Sequence, residues 1–265
     1  MIRPSLLLAL LLFATTNGRA QTVEEVPFVT TPDHVTLAML QIARVGPRDH
    51  VLDLGSGDGR IVITAARRFG ARGTGVEIVP DLVARSRETA LRAGVAERTR
   101  FVEQDLFDTD LSQASVVTMY LLPEVNLALR PRLLALAPGT RVVSHDWDMG
   151  DWRPDRTLTL PVPDKTLGRE KLSRVHLWVV PARVDGLWCA AGGRSLRLQQ
   201  TFQFVQAAWT QGTRSESMVG RLDGARLQIH GPQGLKLQVQ AQGDTLKIHT
   251  PALTLRRAPD DRCPQ

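Results

Sequence analysis

The chain has 265 residues, with 33 Lys and Arg against 27 Asp and Glu, and two cysteines. A composition that is 43% hydrophobic and 23% charged is typical of globular proteins and excludes wholesale disorder and collagen-like repetition. The longest apolar run, Ser5–Ala14, covers about half of the ~20 residues that a membrane-spanning helix requires, which excludes a multi-span membrane protein. The length favours two domains over one.

The amino terminus has the layout of a secretory signal peptide over residues 1–20. Arg3 supplies positive charge, Ser5–Ala14 is the apolar stretch, and Gly18 and Ala20 place small residues before a cleavage site. This pattern predicts export, to the periplasm or out of the cell, and a mature chain without a transmembrane span. The alternatives are a misassigned start, which leaves the protein in the cytoplasm, and an uncleaved membrane anchor.

Charge and composition change together near residues 181–185. Residues 21–182 carry 20 basic and 21 acidic groups, whereas residues 183–265 carry 11 and 6. Upstream, Ala- and Leu-rich segments alternate with short apolar runs, and downstream the apolar residues alternate with Gln, Thr and Lys at a period of two. We therefore predict a first domain over 21–182 and a second, β-rich domain over 183–265.

The first domain is predicted to be of the α/β class, because short apolar strands alternate with helical segments. The predicted strands are Val51–Leu54, Gly73–Ile78, Arg100–Glu103, Ser115–Leu121, Arg141–His145 and Val175–Val180. The predicted helices are Asp33–Val45, Ile61–Phe69, a segment capped by Asp81 that runs to Gly94, and Glu124–Ala137. Such alternation is typical of an open, mostly parallel sheet covered by helices, which binds ligands at the carboxyl ends of its strands.

The loop after the first strand is rich in glycine. Its glycines let the backbone turn tightly and let a ligand approach the main chain. Their spacing is Gly-x-Gly-x-Gly, not the Gly-x-Gly-x-x-Gly that seats a pyrophosphate. Two flanking carboxylates would repel a phosphate and favour a cationic ligand such as a sulfonium amino acid. The candidate binding residues are Asp53, Gly55, Ser56, Gly57, Asp58 and Gly59.

The next two loops carry matching chemistry. Glu77 ends the second strand, 24 positions after Asp53, where an acid can accept the hydroxyls of a ribose. After the third strand, Asp105 and Leu106 place a polar acceptor beside an apolar side chain, which suits an adenine. Three loops of this kind, in this order, predict a nucleoside-binding site.

These motifs carry a resemblance to a known superfamily. Asp-Leu-Gly-Ser-Gly-Asp-Gly-Arg at 53–60, Val-Glu-Ile in the second strand and Gln-Asp-Leu after the third resemble the nucleotide-binding motifs of class I, seven-strand S-adenosylmethionine methyltransferases. The resemblance covers roughly residues 26–180. Within the superfamily the chain is similar to lysine methyltransferases of the mitochondrial ATP-synthase c-subunit type, on Pro27-Phe-Val, Gly94-Val, Arg141-Val-Val and Trp152-x-Pro-Asp155.

The resemblance implies a Rossmann-like seven-strand sheet, S-adenosyl-L-methionine as cofactor, and a protein lysine as methyl acceptor. A neutral amine would attack the sulfonium methyl in line, and most of the rate gain would come from positioning and exclusion of water. Desolvation beside a positive sulfonium lowers the pKa of an amine, so the reaction requires no strong base. The candidate catalytic residues are Tyr120, Glu124 and Asn126, and further acceptor-side candidates are Phe28, Thr30, His145, Asp146 and Trp147.

Several of these residues have a purely structural alternative. Glu124 suits the first turn of a helix, where the dipole favours an acid, and Trp147 and Trp152 suit a core or a hairpin. His145 is not expected to bind a metal, because side chains alternate faces on a strand and no Cys pair or second His cluster completes a site. A net charge of −1 over residues 21–182, with few aromatics among the basic groups, predicts no nucleic-acid interface.

The second domain is predicted to be an up-and-down meander that forms a small barrel or sandwich, because turn signals recur between alternating segments. Its net charge of +5 favours an acidic partner or membrane surface, and the alternative is a solubilising cover that supports dimerisation. In an exported protein, Cys189 and Cys263 could form a disulfide worth about 4 kcal/mol. In a reducing compartment they stay thiols.

Two further functions stay open at this point. One is a small-molecule methyltransferase that acts on an O or N nucleophile. The other is a non-catalytic exported protein that binds S-adenosylmethionine, since this cofactor is made in the cytoplasm. The intact acids Asp53, Glu77 and Asp105 argue for a working pocket.

Overall fold

The structure is a computed structural model that describes residues 29–166, 170–249 and 252–263. The predicted signal peptide and Phe28 lie outside the described residues. In these three ranges, no helix is both long enough and apolar enough to cross a membrane.

The first part of the chain forms a seven-stranded sheet with helices packed on it. Its strands are β1 (His50–Leu54), β2 (Arg72–Glu77), β3 (Thr99–Glu103), β4 (Val116–Met119), β5 (Arg141–His145), β6 (Arg156–Pro161) and β7 (Leu172–Val179). The helices are α1 (Asp33–Ile42), α2 (Arg60–Phe69), α3 (Pro80–Arg92) and α4 (Pro123–Leu133). The strand order is β3-β2-β1-β4-β5-β7-β6, and β7 runs antiparallel to both of its neighbours.

This architecture confirms the predicted fold class. Strands β1, β4 and β5 are buried at nearly every position, as central strands covered on both faces must be, which explains why they appear as continuous apolar runs. The topology places the carboxyl ends of β1 to β5 along one edge of the sheet. The loops after these strands therefore lie side by side.

Two details of the sheet region differ from the sequence prediction. Strand β6 was not predicted, because it is an edge strand with mostly exposed residues and carries a weak apolar signal. Asp81 does not cap α3; the N-cap is Val79, Pro80 opens the helix, and Asp81 lies in the first turn. Proline is well suited to the first helical position, because its missing N–H would have no partner there.

The second part of the chain is a closed, eight-stranded barrel; of the two predicted alternatives, a barrel or a sandwich, the structure therefore has the barrel. Its strands are β8 (Gly186–Ala190), β9 (Arg194–Thr201), β10 (Phe204–Gln211), β11 (Arg214–Asp223), β12 (Arg226–His230), β13 (Lys236–Gln242), β14 (Thr245–Ile248) and β15 (Leu253–Arg257). Each strand pairs antiparallel with the next, and β15 pairs with β8. Apolar side chains, with Trp188 among them, fill the interior. A disulfide joins Cys189 to Cys263.

The barrel contacts the sheet region at the amino-terminal end of β5, away from the ligand-binding edge. The connection between the two regions bonds to both: Val180 accepts the N–H of Gly139 in the sheet region (2.8 Å), and Ala182 donates to the carbonyl of Gly224 in the barrel (2.9 Å). A Cβ on Gly224 would lie 3.0 Å from Cα of Gly139, and Gly224 has φ of +59°. Glycine is therefore required where the two backbones cross.

The turn between β9 and β10 completes this interface. Phe202 stacks on Trp152, with ring centroids 6.2 Å apart, and packs against the core of the sheet region. Gln203 is fully buried and donates to the carbonyl of Arg153 (2.7 Å). An ion pair between Arg221 and Asp155 (2.6 Å) lies beside this turn. Aromatic stacking and a buried amide hydrogen bond thus fix the barrel to the sheet.

Candidate active site

The glycine-rich loop is held in a conformation that other residues cannot adopt without strain. Gly55, Gly57 and Gly59 have φ of +71°, +53° and +77°. A Cβ on Gly59 would lie 2.7 Å from the ring of Phe101. The N–H groups of Gly55 and Ser56 both donate to the carbonyl of Val76 (2.9 Å each), which ties the loop to β2. The structure thus presents a tight backbone turn directly before α2.

Asp53 lies at the base of this loop and is almost completely buried. Its Oδ1 accepts a hydrogen bond from Oγ1 of Thr118 on the neighbouring strand (2.7 Å). Burial raises the pKa of Asp53 to about 8; the negative charges of Glu77 and Asp58 add to the rise, and the Thr118 hydrogen bond opposes it. A cationic ligand would offset this penalty, so the site favours a positive group beside Asp53.

Asp58 is paired within the protein. Its carboxylate accepts hydrogen bonds from Nε (2.9 Å) and Nη2 (2.6 Å) of Arg60, and despite partial burial these contacts hold the pKa of Asp58 below its usual value. The same guanidinium donates from Nη1 to the carbonyl of Thr31 (2.8 Å). Asp58 therefore anchors the amino-terminal segment through Arg60, and its charge is neutralised before any ligand arrives.

Glu77 stabilises the site from the end of β2. Its Oε2 accepts the N–H of Gly57 (2.8 Å), and its Oε1 accepts the N–H groups of Ile78 (3.0 Å) and Val79 (3.1 Å). A carboxylate offers about four acceptor positions, so these three bonds leave room for a ligand hydroxyl. The predicted ribose contact is compatible with this arrangement.

The predicted adenine end has an acid and an apolar surface. Oδ1 of Asp105 accepts the N–H of Phe107 (2.8 Å), and the rest of this exposed carboxylate faces outward. Leu106 packs partly against the core. The exposed apolar side chains here are Ile78 and Phe107, which are 62% and 45% exposed. These two residues, not singled out from the sequence, offer the larger apolar surface to a base.

The acceptor side is built at the ends of β4 and β5. The hydroxyl of Tyr120 donates to Oδ2 of Asp146 (3.3 Å), and the Tyr120 ring lies 3.9 Å from the His145 ring, centroid to centroid. Burial raises the pKa of Tyr120 to about 12, and the nearby Asp146 charge adds to the rise. The phenol is therefore a proton donor at neutral pH and does not act as a base.

Asp146 is held in place by the backbone around it. Its φ of +66° is unusual for a residue with a side chain. Its N–H donates to the carbonyl of Arg174 (2.6 Å), and its Oδ1 accepts the N–H of Arg174 (2.9 Å). Burial pushes the pKa of Asp146 up, but hydrogen bonds from Lys165 and from the Arg174 amide outweigh it, so the pKa lies below its ordinary value. Asp146 is an anion at neutral pH.

The other acceptor-side candidates lie in different environments. Glu124 and Thr30 are exposed, and Trp147 is 43% exposed next to Asp146. Asn126 is fully buried and donates to Oγ of Ser144 (3.0 Å) and to the carbonyl of Trp147 (3.3 Å). Asn126 thus fixes the loop that follows β5. Its catalytic role and that of Glu124 stay predictions.

His145 belongs to a hydrogen-bonded network. One ring nitrogen lies 3.2 Å from Oγ1 of Thr31 and the other 2.9 Å from Oγ of Ser173. Burial lowers the pKa of His145 to about 4, so the ring is neutral. Across residues 29–166, 170–249 and 252–263, no group of three or more His, Cys, Asp and Glu side chains is gathered as a metal site would need.

The sheet order and the loop chemistry together define a class. The glycine loop after β1 and the acid at the end of β2 are the features that the motifs predicted, and the sheet has the seven strands that the resemblance to class I methyltransferases implied. The site fits S-adenosylmethionine: a buried acid with a raised pKa, an anchored carboxylate and exposed apolar side chains meet at one edge. The protein is an S-adenosylmethionine-dependent methyltransferase.

Comparison with known proteins assigns the family. The sequence profile of the ANTKMT methyltransferase domain matches residues 53–156. A protein-lysine N-methyltransferase of Saccharolobus islandicus is 44% identical over 138 residues, which cover 51% of this chain and 86% of that protein. The mouse lysine N-methyltransferase of the ATP-synthase c-subunit is 40% identical over 111 residues, 42% of this chain and 44% of that protein. The chain belongs to this methyltransferase family.

A solved structure agrees with this assignment. An RNA methyltransferase from Salinibacter ruber, in complex with S-adenosyl-L-homocysteine, is 52% identical, with a TM-score of 0.53. The match covers 59% of this chain and 96% of that one. The predicted family and cofactor are thereby confirmed. The chain spans only about half of the length of the matched animal enzymes, for example 44% of the mouse protein and 56% of the Xenopus laevis protein.

Proposed function

We propose that this protein is a protein-lysine N-methyltransferase. The observation that carries the proposal is the anionic Asp146 at the carboxyl end of β5, beside the protonated phenol of Tyr120. An anion and a hydrogen-bonding phenol suit an incoming alkylammonium. The relative from Saccharolobus islandicus, whose name states this activity, supports the choice.

The chain's own residues bind and orient the reactants. Bound at the glycine loop, S-adenosylmethionine supplies a methyl group on a sulfonium. Asp146 and Tyr120 orient the acceptor amine, which must shed its proton before it attacks. The Asp146 anion favours the bound ammonium, whereas desolvation and the positive sulfonium favour the neutral amine, so the acceptor binds as an ammonium ion and loses its proton to water before it attacks. No side chain is required as a strong base.

RNA is the second candidate acceptor, because the Salinibacter ruber structure carries that name. Charge argues against it. Residues 21–182 have a net charge of −1, and an RNA-binding surface of this size is expected to be basic. The positive charge lies on the barrel, which contacts the far end of the sheet. We therefore favour a protein lysine.

The experiment is methyl transfer from labelled S-adenosylmethionine. Purified protein is incubated with protein, RNA and small-molecule fractions of a cell extract, and label is expected in lysines of the protein fraction. The matched control is Asp146→Asn, which keeps the size of the side chain and removes the charge. Label in RNA or in small molecules only would overturn the lysine proposal. Cofactor binding without any transfer would favour a non-catalytic binding protein.

We also propose that the protein is exported. The signal-like segment and the Cys189–Cys263 disulfide both favour an oxidising compartment. A reporter that is active only after export, fused behind residue 30, is expected to be active. Two free thiols by alkylation and mass spectrometry, in protein isolated from its native cell, would contradict the proposal.

A further inference from the structure

Lys165, in the connection between β6 and β7, reaches into the acceptor side of the active site. Its Nζ lies 2.7 Å from Oδ2 of Asp146 and donates to the carbonyl of Leu172 (2.6 Å). The Lys165 side chain is only 15% exposed. A carboxylate and a carbonyl thus hold a lysine ammonium at a partly buried position.

The same carboxylate oxygen binds the active-site phenol. Oδ2 of Asp146 accepts both the Lys165 ammonium and the Tyr120 hydroxyl, so this one atom bridges the two groups. Tyr120 directly follows β4, whose Met119 pairs with Leu54, the residue before the glycine loop. The Lys165 ammonium therefore lies at the strand ends next to the cofactor loop, where the amine of an acceptor must also lie.

The use of lysine at this position is unusual for the protein. The chain has four lysines among its 33 basic residues. Within the described parts of the chain, this is the only ion pair made by a lysine. One other pair is made by His145, and all the rest are made by arginines. Arginine is the usual choice for a purely structural pair, because its fork binds a carboxylate through two N–H groups.

We propose that Lys165 occupies the acceptor-amine subsite and acts as an intramolecular competitor that an incoming alkylammonium must displace. The inference rests on the proposed function, because it takes a lysine as the acceptor. Asp146, Tyr120 and the Leu172 carbonyl form the subsite. Competition of this kind multiplies the association constant for the acceptor by the fraction of time in which Lys165 leaves the site free.

The kinetic test removes the competitor. In Lys165→Met, kcat/KM for a lysine peptide is expected to rise at least about threefold, mainly through a lower KM. The matched control is Lys247→Met, an exposed lysine of the barrel, which is expected to leave kcat/KM unchanged. A fall or no change in kcat/KM for a folded Lys165→Met protein would overturn the inference, because a purely structural ion pair gives that result.

A second measurement uses the unmodified protein and needs no methyl transfer. The acetylation rates of Lys165 and exposed Lys171 by an N-hydroxysuccinimide ester are compared by mass spectrometry. Acetylation of Lys165 is expected to be at least about tenfold slower than that of Lys171. Because n-butylammonium also consumes the ester, acceleration is measured as the ratio of Lys165 to Lys171 acetylation in one sample, and n-butylammonium is expected to raise this ratio. No acceleration at saturating n-butylammonium would overturn the inference even if lysines of other proteins are methylated. Acceleration without transfer to any lysine would support the amine subsite and refute only the proposed function.

Discussion

The sheet region and the barrel differ in what they bury. In the described residues, every buried polar or charged side chain except Gln203 belongs to the sheet region. The acids Asp53 and Glu77 are among them, at the cofactor edge. The interior of the barrel is apolar throughout, and Gln203 itself faces the sheet region.

This difference shows where function is located. A buried polar group lowers stability unless it is fully hydrogen-bonded, so a cluster of them at one sheet edge indicates a binding role. The barrel buries apolar area and carries a disulfide, which are devices for stability. Four predictions test this division, from the largest expected change in the free energy of unfolding or binding to the smallest.

The largest effect is expected from removing the disulfide. Replacing Cys189 and Cys263 by serine releases a loop with a sequence separation of 74, which should lower the free energy of unfolding by about 4 kcal/mol. Urea unfolding measures the change, and hydrogen exchange should locate it in the barrel. Cofactor affinity by calorimetry should stay unchanged. Loss of cofactor binding in parallel would show that the two regions are not energetically separate.

The interface between the regions comes second. Phe202→Ala removes the ring that stacks on Trp152 and should lower the free energy of unfolding by about 2 kcal/mol, since the residue is partly buried. The matched control is Phe204→Ala, an exposed ring two positions along, with an expected change of about 0.5 kcal/mol or less. Equal effects of both substitutions would mean that the Phe202 contact does not fix the barrel to the sheet.

The acids of the sheet edge come third. Asp53→Ala and Glu77→Ala should each weaken S-adenosylmethionine binding at least about tenfold, which is about 1.4 kcal/mol, because each leaves ligand groups unpaired. Asp244→Ala, an exposed acid of the barrel, is the control and should bind normally. Calorimetry on folded variants measures all three. Unchanged affinity in the first two would mean that the loops were misassigned.

The smallest effect is a pH dependence. Because the pKa of Asp53 is about 8 without ligand, its carboxyl is mostly protonated at pH 7 and then cannot pair with a cation. Cofactor affinity should therefore fall as pH falls, by about fivefold from pH 8 to pH 7. Asp53→Asn should remove this component and leave only the titration of the ligand itself. An identical pH profile in both proteins would contradict the assignment of Asp53.

Much of the fold followed from local pattern. The strand–helix alternation predicted the sheet, and the period of two predicted a β-rich second part, because burial on two faces or on one face imposes these periods. Strand β6 was missed for the same reason, since an exposed edge strand has little apolar signal.

Some residues of the candidate site could likewise be predicted from local sequence pattern, and others could not. The glycine loop, Glu77 and Asp105 could be located from the sequence, because ligand chemistry and strand ends are local features. The partners of Thr31 and Lys165 could not: Thr31 lies 114 positions from His145, to which it bonds. Asp58 was predicted from the sequence to contact the ligand, whereas in the structure its carboxylate is paired with Arg60.

The sequence by itself determined the fold class through its strand–helix alternation, and the cofactor and the family through the resemblance of its loop motifs, because glycines and acids at strand ends are specified by short-range constraints. Only the tertiary structure decided which side chains meet at the acceptor end. Asp146, Tyr120 and Lys165 come from three different loops, and their contacts depend on strand order and on a backbone conformation that no local pattern encodes.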